Sequence, residues 1–130
     1  IHVAPSHTPG SILVYVPERK VLFAGDILFT DFHPYLGEAD LGGWVRNLDF
    51  ILTLDADTIV PGHGPLSTKE DVAGMKEYLL TFDRLAKDAA ARGLGPDEAT
   101  ATILKALPAR SQGGFLVKTN LEKKYLKKAE

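Results

Sequence analysis

The chain has 130 residues, 45% hydrophobic and 25% charged, with a formal net charge of −2. That balance excludes wholesale disorder, and a chain of this size buries a core without covalent staples. It contains no cysteine, which removes disulfides, thiolate nucleophiles and thiolate metal ligands. Near-neutral charge argues against a nucleic-acid or anionic-membrane binder, and the apolar runs fall short of the ~18 residues of a spanning helix.

In chain order, Ile12–Val16 and Val21–Ala24 are short runs of β-formers, and Pro17-Glu18-Arg19-Lys20 between them predicts a hairpin. The span from Asp40 to Leu54 sets Trp44, Leu48, Ile51 and Leu52 on one helical face. A third strand, Asp57–Val60, is expected to stop at Pro61-Gly62-His63-Gly64-Pro65, where four breakers exclude helix and central strand. Val72, Met75, Leu79, Phe82, Ala86 and Ala89 form the apolar stripe of a long helix. Ser67-Thr68-Lys69-Glu70 reads as its capping box, and Gly93 lies just past its end. Pro96 opens a helix that stops near Leu107, and a last one begins near Phe115 or Asn120 and carries Leu121, Tyr125 and Leu126.

Residues 118–130 hold five lysines against two glutamates. The run has no arginine and Tyr125 as its single aromatic, short of the interleaving of a nucleic-acid surface, so it reads as a solvated helix face. Nucleic-acid binding there would show as affinity falling steeply with salt.

Three strings carry chemistry: Ser6-His7-Thr8-Pro9-Gly10-Ser11, Leu22-Phe23-Ala24-Gly25-Asp26 and Pro61-Gly62-His63-Gly64-Pro65. Each sets one metal-capable side chain beside glycine at the edge of a predicted strand, where a rigid scaffold can aim it. Imidazole and carboxylate suit zinc and similar ions, and a carboxylate can bridge two of them. Iron and manganese fit the same donors.

Together these strings resemble the later motifs of the metallo-β-lactamase superfamily, in the expected order, over roughly residues 3–92. The resemblance implies an α/β fold: the C-terminal half of an αββα sandwich over residues 1–92, with residues 93–130 as a helical extension packed on the same domain. It also implies a metal-dependent hydrolase with two ions, usually zinc. His7 would complete the three-histidine set of the first ion, Asp26 would bridge both as the catalytic carboxylate, and His63 would hold the second. Such a site acidifies a water and polarises a scissile carbonyl or ester. The substrates implied are small thioesters, esters, lactones, lactams and phosphoesters. His33 and Tyr35 would contact the substrate, while Thr8 and Ser11 would hydrogen-bond around the His7 turn and fix its ring.

The superfamily's first signature, His-x-His-x-Asp-His, is not among these residues. The chain starts at Ile1 and its single methionine is Met75, so an upstream segment is expected to carry that signature. The chain alone is then expected to bind metal weakly or not at all and to lack hydrolytic activity. An uncovered sheet face would pair with the missing N-terminal half, with a second copy, or with other exposed sheets. A cytoplasmic location fits the absence of cysteine and of a signal. The competing expectation is a catalytically silent interaction or dimerisation module built on the helical tail from about Val72.

Overall fold

The computed structural model describes residues 1–126; Lys127, Lys128 and Glu130 of the basic end lie outside them. Strand β1 (Val14–Val16) turns through a 3-10 segment at Pro17–Arg19 into β2 (Val21–Phe29). Then follow helix α1 (Leu41–Thr53), strand β3 (Thr58–His63) and the 23-residue helix α2 (Lys69–Ala91). Helix α3 (Pro96–Ala106) leads to α4 (Phe115–Asn120), which runs into a π-helical turn at Leu121–Tyr125. The strands form one sheet in the order β1-β2-β3, antiparallel between the first two and parallel between the last two.

Strand alternation sorts the two faces of this sheet. Tyr15, Leu22 and Ile59 form one cross-strand row, with Leu22 and Ile59 buried in the core shared with the helices. The neighbouring row is Val14, Phe23 and Val60, and there Val14 and Phe23 are exposed, as is Ile12. Among the described residues the helices therefore cover one face, giving one sheet layer and one helical layer. The α2 stripe is the predicted one with Tyr78 added. Ile103 of α3, Val117 of α4 and Leu121 are buried in the same core.

Strand β1 is two residues shorter than expected, because Ile12 pairs with His2 in an isolated bridge, and three further boundaries differ from the sequence expectations, each for a physical reason. Strand β2 continues past Ala24 to Phe29 and β3 continues past Val60 to His63. β3 is an edge strand among the described residues, so Pro61 interrupts no ladder on its outer side. The capping box is Thr68 with Asp71 rather than Ser67 with Glu70. Ser67 is engaged elsewhere: its hydroxyl donates to the Pro65 carbonyl at 2.8 Å and lies 2.7 Å from the Thr30 hydroxyl.

Candidate metal centre

Asp26 owes its position to a break in the β2–β3 ladder. Gly25 pairs with Pro61, yet the next pair is Phe29 with His63, so residues 26–28 oppose Gly62 alone. Gly25 takes φ +55, a left-handed turn that glycine adopts without strain. The bulge turns the Asp26 carboxylate toward Gly62, where any Cβ would overlap that carboxylate and crowd the Gly25 backbone. Position 62 is thus a glycine because the carboxylate occupies the space of its side chain. His63 ends β3, its carbonyl accepting from Thr30 N–H at 3.0 Å and its ring stacked on Phe29 with centroids 4.8 Å apart.

His7 arrives from the N-terminal loop, which is seated on the start of α1. Asn47 Nδ2 donates to the Ala4 carbonyl at 2.7 Å and Asp40 N–H donates to the Ser6 carbonyl at 2.9 Å. The His7 ring packs between Phe29 and Trp44, with centroids 5.5 Å from each. Its Nδ1 donates to the Tyr35 carbonyl at 3.0 Å. A carbonyl only accepts, so this bond keeps the proton on Nδ1 and leaves Nε2 of the neutral ring as a bare lone pair.

The two imidazoles meet the carboxylate from different sides. His7 Nε2 lies 3.6 Å from Asp26 Oδ2, and His63 Nε2 lies 3.5 Å from Asp26 Oδ1. Charge-assisted bonds run about 2.7–2.9 Å, so these donors face one another at a separation longer than bonding. No three His, Asp or Glu side chains among the described residues close into a ready-made ion cage. The donor chemistry nevertheless fits divalent cations: two imidazole nitrogens, one on a ring whose tautomer is fixed, and a carboxylate turning one oxygen to each. Asp26 and His63 are about half exposed and His7 only 14%.

The other sequence candidates divide. Tyr35 borders the same cavity of about 350 Å³, and its backbone carbonyl orients His7. His33 touches that cavity but is only 3% exposed, with Nδ1 2.8 Å from the Tyr78 hydroxyl. Its place is a core post under the loop rather than a free substrate contact. Burial, and then the Arg110 guanidinium, push its pKa below the ordinary imidazole value. Thr8 and Ser11 bond each other and Ser6 within the turn; Ser11 Oγ donates to the Thr8 carbonyl at 3.1 Å. They shape the loop, and the ring-fixing bond comes from Tyr35 instead. Sequence reasoning missed Phe29, which packs against both imidazoles, and the Trp44 contact with His7. The only available signal was an aromatic three residues after Asp26.

Comparison with known proteins bears on the family and the fold. The Lactamase_B family, described as the metallo-beta-lactamase superfamily, matches residues 1–63. A linear primary-alkylsulfatase of Pseudomonas sp. (strain ATCC 19151) is 33% identical over 116 residues, covering 75% of this chain and 20% of that protein. The beta-lactamase-like protein 2 homolog of Caenorhabditis elegans is 34% identical over 80 residues, covering 58% of this chain and 24% of its own length. Among solved structures, the DIM-1 metallo-beta-lactamase superposes with TM-score 0.54 and 27% identity, covering 59% of this chain and 38% of that one. The chain thus spans about a fifth to a quarter of the curated relatives it matches. The family match over residues 1–63, the relatives and the shared fold together support its membership of the metallo-β-lactamase superfamily.

Proposed function

We propose that this chain supplies His7, Asp26 and His63 to a metal-dependent hydrolytic centre, with zinc as the preferred ion and two ions in the complete protein. The observation that supports it most is the Asp26 carboxylate with one oxygen turned to each imidazole nitrogen. A divalent ion held there supplies Lewis acidity toward a water and toward the scissile bond. This chain's residues do the holding. Asp26 turns one oxygen to each imidazole, the Tyr35 carbonyl holds the neutral His7 ring's proton on Nδ1 so that Nε2 carries the lone pair, and Phe29 and Trp44 restrain the His7 ring. The substrates that suit such a centre are small thioesters, esters, lactones and lactams, and the alkylsulfatase relative adds sulfate esters.

Three ligands are too few for two ions, so the chain alone binds zinc weakly and does not hydrolyse these substrates. The exposed row Val14 and Phe23, with Ile12 beside it, suits a covering partner: a segment carrying His-x-His-x-Asp-His, or a second copy. No helix of the described residues is long and apolar enough to cross a membrane. Zinc calorimetry tests the reading. Weak binding that tightens when a segment with that signature is added, and is lost in Asp26→Asn, is the expected result. Zinc uptake indifferent to Asp26→Asn would overturn the centre and leave the silent interaction module, which the exposed sheet face favours.

A further inference from the structure

The cavity over His7, Asp26 and His63 has a second wall that comes from far along the chain. Gln112, Gly113, Phe115 and Leu116 line it together with Phe32 and Tyr35. Phe115 is 76% exposed, so its ring is not spent on the core. The segment that carries it is nonetheless tied tightly to the loop over the site. Arg110 Nη1 donates to the carbonyls of Phe29 at 2.6 Å and Phe32 at 2.8 Å, and its guanidinium lies 4.7 Å over the Tyr78 ring. Asp31 accepts from the Ser111 N–H at 2.9 Å and from the Ser111 hydroxyl. His33 N–H donates to the Gln112 carbonyl at 2.9 Å. Further on, Asn120 accepts from Leu36 N–H at 2.7 Å and donates to the Pro34 carbonyl at 2.8 Å. The loop so fastened is the one whose Tyr35 carbonyl orients His7.

We propose that residues 112–116 are the substrate-selecting wall of this site and that it takes an apolar chain, an alkyl or acyl tail, beside the bond to be cleaved. Two observations select that chemistry. Phe29, Phe32, Tyr35, Phe115 and Leu116 give the lining its aromatic and aliphatic surface, Gln112 is the one amide of the wall, and among the described residues no lysine or arginine lines the cavity. The volume of about 350 Å³ sits at the small end of ligand pockets, which fits a single chain rather than a macromolecule. The link to catalysis rests on the hydrolase reading; the affinity for an apolar chain does not.

The test titrates n-octanol and n-butanol, neutral probes of two lengths, into the isotope-labelled chain without metal, following backbone amide shifts. Each buried methylene strengthens binding by about fourfold. Octanol is therefore expected to saturate the shifts of Gly113 to Leu116 at a concentration at least about tenfold lower than butanol. Phe115→Ala should weaken octanol by about tenfold, while Leu80→Ala, an exposed leucine of α2 away from the cavity, leaves it unchanged. Equal binding of both alcohols, shifts confined to the Val14 and Phe23 face, or an unchanged Phe115→Ala variant would each overturn the proposal. Zinc takes no part in this titration, so failure of the zinc experiment sinks the hydrolase reading alone. Failure of the alcohols sinks only the wall.

Discussion

Glycine 62 shows how one missing side chain can position a functional group. Its Cβ would fall on the Asp26 carboxylate and against the Gly25 backbone; the carboxylate can only swing away from its place, and the backbone cannot retreat without breaking the bulge. Gly62→Val is expected to cost about 1–3 kcal/mol, the usual range for forcing atoms into filled space, and to turn Asp26 away from both imidazoles. Urea denaturation reads the first effect and loss of zinc-induced histidine shifts reads the second. A variant as stable as the parent that keeps those shifts would show that the carboxylate is not held by this contact. The histidines and Asp26 were legible in the sequence because each stands beside glycine in a string of breakers. The Tyr35 carbonyl was not, because a backbone acceptor leaves no mark in residue type.

At the level of elements, the loop at residues 29–36 and the segment at 110–120 behave as one unit joined through buried polar groups. Nothing in periodicity predicts that Arg110, just past the end of α3, reaches back to the carbonyls of Phe29 and Phe32. The pairing is a long-range event between two irregular stretches. His33 lies at the centre of it, and its lowered pKa carries a sign. The unfolded chain, with an ordinary imidazole near 6.5, takes up its proton before the folded chain does. This contribution is therefore complete above about pH 6.5 and is lost as pH falls from there through the lowered folded value. Thermal midpoints measured from pH 7.5 to 5 should decline, with a smaller slope in His33→Asn, whose amide can still reach the Tyr78 hydroxyl. An identical slope in the variant would assign the pH dependence to other groups. The helices themselves were readable, since α1 and α2 carry unbroken three-and-four spacing. Strands β2 and β3 were read short because proline and glycine near Asp26 and His63 mark a bulge and an edge as readily as an end.

For the molecule as a whole, the distribution of apolar surface is uneven. Helices bury one face of the sheet, while Val14, Phe23 and Ile12 stay exposed on the other, a pattern that invites association. Sedimentation should show the chain self-associating as concentration rises, and Phe23→Lys should suppress this without unfolding the protein, since Phe23 is outside the core. A wild-type chain monomeric at millimolar concentration would argue that this face has no partner of its own kind. The hairpin and the two amphipathic helices were legible as elements, while their layering was implied by the family resemblance alone. Which face stays open was not, because both rows of β2 are apolar and only the helix positions distinguish them.

The central claim is that His7, Asp26 and His63 act together on one cation site. Its most direct test is to titrate zinc into the chain while following the imidazole NMR signals of all four histidines. The account predicts that His7 and His63 shift together, that His2 and the buried His33 do not, and that Asp26→Asn abolishes the response. Shifts of His7 and His63 no larger than that of His2, or a response untouched by Asp26→Asn, would contradict it.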